Sequence, residues 1–307
     1  MLGYALGRML GLIPTLFLIV TAAFFLMRLA PGGPFDEEQA VPAEITANLQ
    51  AAYGLDQPVH VQYGRYLAGL MRGDLGPSFK MKDFTVAELI ARGLPVTLAI
   101  GMAALLAALC IGVPLGLLAA RRQNGWVDHA VMGIALAGIA VPNFVVAPVL
   151  ALAFGIGLGW LPVAGWEPGS VRHMVLPVVT LALPFVAYVA RLTRGSLLEV
   201  LQAPYIRTAR AKGLSPGAIL RRHALKPTLL PVVSFLGPAA AGLLTGSLVV
   251  EQVFGLPGIG RYFVQGAINR DYTLVMGMVI FYAALVLVLN LLVDLLYGWL
   301  DPRIRHG

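Results

Sequence analysis

Residues 93–120 read GLPVTLAIGMAALLAALCIGVPLGLLAA and contain no charged side chain, although arginines stand directly on either side at positions 92 and 121. A helix needs about 20 mostly apolar residues to cross the hydrocarbon core of a membrane, which is roughly 30 Å thick. This stretch is long enough. Its backbone must be helical, because unpaired amide groups in lipid cost several kcal/mol each. It predicts a membrane-spanning helix, and the chain contains more stretches of the same kind.

The whole chain has the composition of a membrane protein. Of its 307 residues, 58% are hydrophobic and 12% are charged, whereas soluble globular domains have about 45–50% apolar and about 25% charged residues. So large an apolar excess must face lipid, which excludes a soluble protein. The net charge of +7 would suit a nucleic-acid binder, but neither zinc-ligand spacing nor an aromatic-and-basic strip accompanies it. Basic residues in cytoplasmic loops explain the charge instead.

Further apolar stretches predict an all-α membrane protein with six transmembrane helices. The six predicted spans are Met9–Met27, Gly93–Ala120, His129–Trp160, Met174–Ala190, Thr228–Val250 and Tyr272–Val293. The third is long but has no polar turn, so we expect one tilted helix that is kinked at Pro142. We consider Pro142, Asn143 and Pro184 candidates for a gating or path-lining role. The alternative is simple tolerance, because proline is more frequent in membrane helices than in soluble ones.

The first span has an alternative interpretation as the core of a cleaved signal peptide. Its apolar run is longer than the 7–15 residues of a typical signal core, and RLAPGGP (28–34), which follows, has no A-x-A-like cleavage site. We therefore expect a retained transmembrane helix.

The basic residues of the short loops predict how the chain is oriented. Arg121 and Arg122 lie between spans two and three, the six bases of the stretch 205–231 lie between spans four and five, and Arg303 and Arg305 follow span six. With six spans these three regions share one side, and the positive-inside rule makes that side the cytoplasm. Both termini are then expected to be cytoplasmic.

The opposite face carries one larger polar piece, residues 31–92, with eight acids and five bases. It is too short to be an independent catalytic domain, so we expect it to cap the mouth of a path or to contact an external partner. The predicted division of the chain is residues 1–30 for the N-terminus and first span, 31–92 for this periplasmic lobe, 93–297 for a five-helix core and 298–307 for a cytoplasmic tail.

The sequence contains no recognisable catalytic or metal-binding pattern. It has no G-x-x-x-x-G-K-[ST] phosphate loop, no H-E-x-x-H and no His or Cys pair at metal-ligand spacing. We therefore predict a chain with no catalytic activity, metal or cofactor of its own, which argues against a membrane enzyme. The glycine-rich FGLPGIG (254–260) is expected to belong to an external loop, whose candidate contact residues are Glu251, Gly255, Pro257 and Gly258.

Acidic residues are missing from the middle of the predicted spans. Glu251 and Asp294 lie at span edges, and Asp128 precedes a span. A carrier driven by protons or sodium is expected to have at least one acid on its path. The pattern argues against an ion-coupled secondary transporter and indicates that the energy for any transport comes from elsewhere.

Charge gathers in one stretch between spans four and five, YIRTARAKGLSPGAILRRHALKPTLLP (205–231), which has six bases and no acid. Its first eight residues favour a helix and Gly213 is a natural stop, while Ser215 and Pro216 can start a second short helix. The simplest alternative is an orienting loop that lies on anionic lipid. A helix, a glycine break and a second helix exceed what orientation or a structural scaffold needs, so we predict a docking element for a cytoplasmic partner.

This stretch resembles the EAA loop of binding-protein-dependent ABC importer permeases, most closely the first permease subunit of the dipeptide/oligopeptide family. Further stretches that resemble the family are YGLDQPVHVQYGRYLAGLMRGDLGPSF (53–79), VVEQVFGLPGIGRYFVQGAINRDY (249–272) and LDPRIR (300–305). Aligned on Gly213, the chain has Arg-Thr-Ala (207–209) where the general pattern has Glu-Ala-Ala. Pro227 stands where this branch commonly has Asn.

The resemblance implies a type I ABC importer permease fold in a bacterial inner membrane. This chain and a related second permease would enclose a path for di- or oligopeptides and work by alternating access. Two cytoplasmic ATPase subunits would bind ATP and Mg, and an external binding protein would deliver the substrate. Nickel complexes, haem or glutathione are alternative cargoes of permeases that resemble this one.

The resemblance also implies which residues couple the permease to an ATPase. The coupling loop would lie within residues 196–227. Its expected docking residues are Thr208, Ala209, Arg210, Ala211, Lys212, Gly213, Leu214, Ser215, Pro216 and Arg221. Membrane lipid is the other expected partner of the chain, and nucleic acid is not expected to be one.

Overall fold

Long helices account for most of the chain. The computed structural model describes residues 2–29, 48, 50, 51, 53–81 and 83–300, and this part contains no strand, only an isolated bridge between Pro77 and Thr85. Its named helices are α1 (Leu2–Leu29), α2 (Val59–Met71), α3 (Val86–Arg121), α4 (Trp126–Ala140), α5 (Asn143–Leu150, continued by a π-helix over Ala151–Gly157), α6 (Val171–Leu201), α7 (Pro204–Ala211), α8 (Pro216–Ile219, continued by a π-helix over Leu220–Ala224), α9 (Leu225–Val253), α10 (Ile259–Ile268) and α11 (Tyr272–Leu300). The tail predicted at 298–307 lies outside the described residues beyond Leu300.

The predicted membrane spans correspond to the longest of these helices. Five segments are long and apolar enough to cross a membrane: Leu10–Leu29, Val86–Arg121, Val171–Leu201, Pro216–Val253 and Tyr272–Val293. A bent pair, α4 together with α5 and its π-helical continuation, makes a sixth crossing when it is counted as one span. The predicted all-α fold with six membrane-spanning units is confirmed on that count.

The third predicted span is two helices and not one kinked helix. α4 and α5 are inclined at 103° to each other. Between them, Val141 and Pro142 have extended backbone, with ψ angles of 119° and 145°. Proline disfavours helical geometry in the residue before it, and its own nitrogen cannot continue the hydrogen-bond ladder. The predicted kink at Pro142 was therefore wrong, since this residue separates two helices. Pro184, in contrast, lies within the continuous helix α6.

α3 begins at Val86, before its predicted start at Gly93, because a capping box stabilises its first turn. The Glu88 N–H donates to Oγ1 of Thr85 at 3.2 Å, and the Thr85 N–H donates to Oε2 of Glu88 at 2.9 Å. These two bonds satisfy backbone donors that have no partner within the helix. Residues 86–92, assigned to the periplasmic lobe from the sequence, therefore belong to the core helix.

α3 and α6 share the most extensive helix–helix contact among the described residues. α3 carries a stripe of small buried residues at every fourth position: Ala104, Ala108, Gly112, Gly116 and Ala120. A Cβ atom at Gly112 would lie 2.8 Å from the carbonyl oxygen of Val186, and one at Gly116 would collide with that of Ala190. Small residues let membrane helices approach closely. At these two positions the backbone of α6 leaves room only for glycine.

Replacing Gly116 with alanine is expected to lower the melting temperature of the detergent-purified protein. The new methyl group would meet the backbone of α6, and overpacking of this kind costs about 1–3 kcal/mol. Gly101→Ala is the matched control, because Gly101 is also buried on α3 and a Cβ atom there would have nothing within 4 Å. Equal melting temperatures for the two variants would contradict the close α3–α6 contact.

Candidate functional site

The basic stretch folds into a small helical unit, the 204–224 unit, which consists of α7, a glycine turn, α8 and the π-helix that follows. Pro204 lies in the first turn of α7, where a backbone N–H would have no partner within the helix. Ser215 caps α8, since its Oγ accepts a hydrogen bond from the Ala218 N–H at 3.4 Å. The helix, break and second helix predicted from the sequence are confirmed.

Gly213 makes the turn between the two helices possible. Its φ angle is +77°, a value that glycine adopts without strain and other L-residues rarely adopt. The Gly213 N–H donates to the Arg210 carbonyl at 2.9 Å, and the Leu214 N–H donates to the Ala209 carbonyl at 3.3 Å. These two bonds form a Schellman motif, which ends α7 and turns the chain toward Ser215.

The 204–224 unit is attached to the membrane helices by an apolar cluster. Its buried members are Ala120 of α3, Leu197 of α6, and Ile206, Ala209, Ile219 and Ala224 of the unit itself. Ile206 and Leu197 are fully buried. This close-packed apolar cluster holds the unit against the C-terminal ends of α3 and α6.

Most of the residues predicted to dock a partner are exposed on one unit. Thr208, Arg210, Ala211, Lys212, Gly213, Ser215, Pro216 and Arg221 are exposed. Ala209 and Leu214 differ. Ala209 is 6% exposed and packs in the apolar cluster, and Leu214 is half-buried against it. Ala209 was expected among the docking residues, but the helical turn of α7 directs its side chain to the protein's own core.

The exposed face of the unit is positively charged. Within the described part of the chain, none of its basic side chains (Arg207, Arg210, Lys212, Arg221 and Arg222) forms an ion pair. Arg221 only donates from Nε to the Gly217 carbonyl, at 3.4 Å. The charges are therefore available to a partner's carboxylates or to anionic headgroups.

A buried ion pair holds the α3–α4 connection against α6, close to this unit. Arg194 Nε and Nη2 donate to the two carboxylate oxygens of Asp128 at 2.5 Å and 2.7 Å, and the Asn124 N–H donates to Oδ2 at 2.9 Å. The Asp128 side chain is only 2% exposed, whereas that of Arg194 is 26% exposed. Sequence analysis placed Asp128 before a span and missed this pair, which joins residues that are far apart in the chain.

Replacing Asp128 with asparagine is expected to destabilise the protein, because the half-buried Arg194 would keep its charge without a partner. Loss of one partner from a buried pair costs about 3–5 kcal/mol, and the partial exposure of Arg194 places the expected loss at the lower end. Thermal unfolding in detergent measures it. Glu199→Gln is the control, since Glu199 is exposed on the same helix, α6. A melting temperature unchanged by Asp128→Asn would refute the structural role of the pair.

The three candidate path residues, Pro142, Asn143 and Pro184, lie near the packing of α5, α6 and α9. Pro142 is exposed at the start of α5. The side chain of Asn143 faces Gly246 of α9, where a Cβ atom would lie 3.7 Å from its Nδ2. The same Cβ atom would lie 3.2 Å from Leu181 of α6, one turn before Pro184. The structure thus places Asn143 at a three-helix contact, and a path-lining role for these residues stays a prediction.

Glu251 was predicted in an external loop but lies within α9 and is fully buried. Its carboxylate accepts hydrogen bonds from Thr97 Oγ1 and from the Gly260 N–H, each at 2.7 Å. The Ile259 N–H donates to Thr97 Oγ1 at 2.9 Å. The placement of Glu251 in the loop was therefore wrong. The carboxylate binds α3, α9 and the start of α10 together and has no surface to offer a partner.

The other three loop candidates lie in the turn between α9 and α10, and one of them, Gly258, lies against this buried carboxylate. Gly255 has a φ angle of +61° and starts the turn after α9. Pro257 is half-buried and Gly258 is buried. A Cβ atom at Gly258 would collide with the Glu251 carboxylate. The glycines let the loop fold tightly over Glu251, so an external partner would meet only part of this loop.

Asp271, like Glu251, is a buried carboxylate that joins separate segments, in this case the polar lobe and the start of α11. The buried carboxylate accepts hydrogen bonds from Ser78 Oγ and from the backbone N–H groups of Phe79 and Lys80, the latter two at 3.2 Å. The Leu274 N–H in the first turn of α11 also donates to it, at 3.1 Å. Thr273 Oγ1 donates to the Pro77 carbonyl at 2.6 Å. The loop before α3 is thus fixed to the start of α11.

Comparison with known proteins assigns the chain to a family. Residues 112–306 match the model of the binding-protein-dependent transport system inner membrane component, and residues 1–101 match the model of the N-terminal part of the same membrane component. The chain belongs to this family. It is therefore a multi-pass membrane permease subunit of an ABC importer.

Several relatives match over the whole chain. The oligopeptide transport system permease protein OppB of Salmonella typhimurium is 52% identical over 306 residues, which cover 100% of both chains. The protein of the same name in Escherichia coli K12 is 51% identical with the same coverage. The dipeptide transport system permease protein DppB of Bacillus subtilis is 44% identical over 98% of this chain and 97% of its own.

The fold is also similar to that of a solved transporter. The inward-facing MetNI methionine ABC transporter contains a chain that matches with a TM-score of 0.60 and 21% identity, over 69% of this chain and 96% of that chain. At this identity the match concerns the fold alone. It confirms the type I importer permease fold that the sequence resemblance implied.

Proposed function

We propose that this chain forms half of the translocation path of a peptide importer and that the 204–224 unit is its docking surface for an ATPase subunit. The peptide substrate is supported by the similarity, over the full length, to permeases named for oligopeptide and dipeptide transport. The docking role is supported by the exposed basic side chains of the unit, whose apolar side packs against α3 and α6.

The geometry suggests how the ATPase would drive the path. An ATPase subunit carrying acidic side chains would contact the exposed bases around Gly213, while Ile206 and Ala209 remain buried. When the ATPase dimer closes, the unit would move as a rigid body, since a packed apolar cluster does not deform continuously. α3 and α6 would move with it, and the path between this chain and the second permease would switch access.

The remaining subunits follow from the same proposal. A second, related permease would complete the path, two cytoplasmic ATPase subunits would bind ATP and Mg, and a periplasmic binding protein would deliver the peptide. The chain itself would neither hydrolyse ATP nor bind a cofactor. Both termini and the 204–224 unit would be cytoplasmic, because the basic loops lie on one side.

Uptake by the reconstituted complex tests the cargo. The chain is co-expressed with the transporter subunits encoded beside it, placed in proteoliposomes, and supplied with labelled peptides of two to five residues. We expect uptake that requires ATP and the binding protein. Uptake of nickel complexes, haem or glutathione in place of peptides would overturn the peptide assignment, and uptake driven by an ion gradient without ATP would overturn the ABC mechanism.

Replacing Gly213 with alanine is expected to weaken ATPase docking without unfolding the chain. The left-handed backbone at this position costs a non-glycine residue about 1–2 kcal/mol, so the turn should shift and the exposed bases should lose their arrangement. A Cβ atom there meets nothing within 4 Å, which excludes a clash. The measurement is the amount of ATPase subunit that co-purifies with the permease.

Gly217→Ala is the control for this variant. Gly217 is also exposed in the unit and its Cβ atom would also meet nothing within 4 Å, but its φ angle is not positive. It should retain ATPase association. If Gly213→Ala retained normal association and transport as well, the proposed role of the glycine turn would be refuted.

A further inference from the structure

A cavity of about 200 Å³ lies between the C-terminal end of α1, helix α2 and the start of α11. α2 packs on α1 through aromatic residues: the ring of Phe24 lies 5.2 Å from that of Tyr63 and 5.8 Å from that of Tyr66. Thr21 Oγ1 also hydrogen-bonds the Tyr63 hydroxyl at 2.7 Å. α2 therefore lies level with the last turns of a membrane-spanning helix, on the side opposite the 204–224 unit.

Three buried polar atoms around this cavity have no hydrogen-bond partner among the described residues: Nε of Arg28, Oε1 of Gln62 and the hydroxyl oxygen of Tyr66. The Gln62 amide is fixed in place, because its Nε2 donates to the Leu55 and Gln57 carbonyls at 3.0 Å and 2.7 Å. Buried polar groups in folded proteins nearly always have partners. Three exceptions lining one cavity indicate that a polar ligand completes the site.

The charges around the cavity indicate an anion. Arg28 forms no ion pair with any described residue; its guanidinium stands only over the rings of Phe24 and Tyr272, at 5.3 Å and 5.8 Å. Arg65 adds a second positive charge to the lining. Among the described lining residues Asp74 is the one acid, and it already accepts a hydrogen bond from the Gly76 N–H at 2.8 Å. A water molecule could satisfy the tyrosine and the glutamine, but it would leave the arginine charge unbalanced.

The position of the cavity indicates a lipid as the source of that anion. On the last turns of α1, next to Arg28, the side chains of Phe25, Leu26 and Leu29 are 41%, 67% and 79% exposed. Exposed apolar residues on a membrane-spanning helix face acyl chains. The arginine one turn away therefore lies at the depth of the headgroups, where basic residues contact lipid phosphates.

We propose that this cavity binds the phosphoglycerol headgroup of an anionic phospholipid, phosphatidylglycerol. Arg28 holds the phosphate, because its planar fork matches phosphate oxygens. The Tyr66 hydroxyl donates to the same group; burial raises the pKa of this hydroxyl, so it stays protonated at neutral pH. A hydroxyl of the headgroup glycerol donates to Oε1 of Gln62. The bound lipid thereby ties α2 of the polar lobe to α1.

Native mass spectrometry of the delipidated transporter complex tests this proposal. Phosphatidylglycerol, phosphatidylethanolamine and phosphatidylcholine are added back separately, and the retained lipid is measured for the wild type, Arg28→Gln, Arg28→Lys and Tyr66→Phe. One charge-assisted hydrogen bond contributes about 1.5–3 kcal/mol, so Arg28→Gln should reduce phosphatidylglycerol retention by about 10-fold or more. Arg28→Lys should keep much of it, and Tyr66→Phe should lose part of it.

Arg72→Gln is the matched control, because Arg72 is an exposed base that follows α2 without lining the cavity. It should bind phosphatidylglycerol as the wild type does. The proposal is overturned if Arg28→Gln retains as much phosphatidylglycerol as this control, or if all three lipids are retained equally. Displacement of the lipid by millimolar inorganic phosphate would also overturn it and would identify a free anion as the ligand. If Arg28→Gln does not fold, the lysine and phenylalanine variants decide the outcome.

Discussion

The close approach of α3 and α6 is the constraint on which the rest of the structure depends. Gly112 and Gly116 let the two backbones meet without intervening side chains, so α3 and α6 form a closely packed helix pair across the membrane. The apolar cluster of the 204–224 unit lies at the C-terminal ends of these two helices. Near the N-terminal end of α3, Thr97 donates a hydrogen bond to the buried Glu251 and so joins α9 and α10 to the same helix pair.

This arrangement gives the buried polar groups a structural meaning. Membrane interiors penalise unpaired charge, yet Asp128 and Glu251 are buried in helices of this permease. Each is tied by short bonds to an element distant in the sequence: Asp128 to Arg194 of α6, and Glu251 to Thr97 of α3. They fix the two ends of the helix bundle. Under the proposed docking of an ATPase subunit at one end, the two ends of the bundle would therefore move as one connected body.

The sequence predicted what depends on local chemistry. The all-apolar stretches gave the spans, and Gly213 with Ser215 gave the turn of the 204–224 unit, because a positive φ angle and a helix cap are properties of a few neighbouring residues. The T-x-x-E pattern at Thr85 would have placed the start of α3 correctly. The break at Pro142 also depends on local chemistry. The sequence predicted only a kink there, but a proline also disfavours helical geometry in the residue before it, here Val141.

What sequence reasoning missed depends on contacts between distant segments. Nothing near Ala209 shows that it faces Leu197 and Ala120, and nothing near Glu251 shows that Thr97 and Gly260 surround it. The orphaned polar atoms beside α1 likewise become visible only when α1, α2 and α11 are assembled. The docking role proposed for the 204–224 unit could be inferred from a motif, whereas the contacts that attach this unit to α3 and α6 became visible only in the fold.

The central claim is that the 204–224 unit moves together with α3 and α6. Spin labels at Gln123, in the turn after α3, and at Lys212, both exposed positions, measure it directly by pulsed electron paramagnetic resonance, with Cys110 replaced by serine. A second label pair across the two permeases reports the nucleotide-driven switch. If the unit moves with these helices, ATP binding changes the second distance and leaves the Gln123–Lys212 distance unchanged. A shift of that distance by a helical turn, about 5 Å, would contradict it.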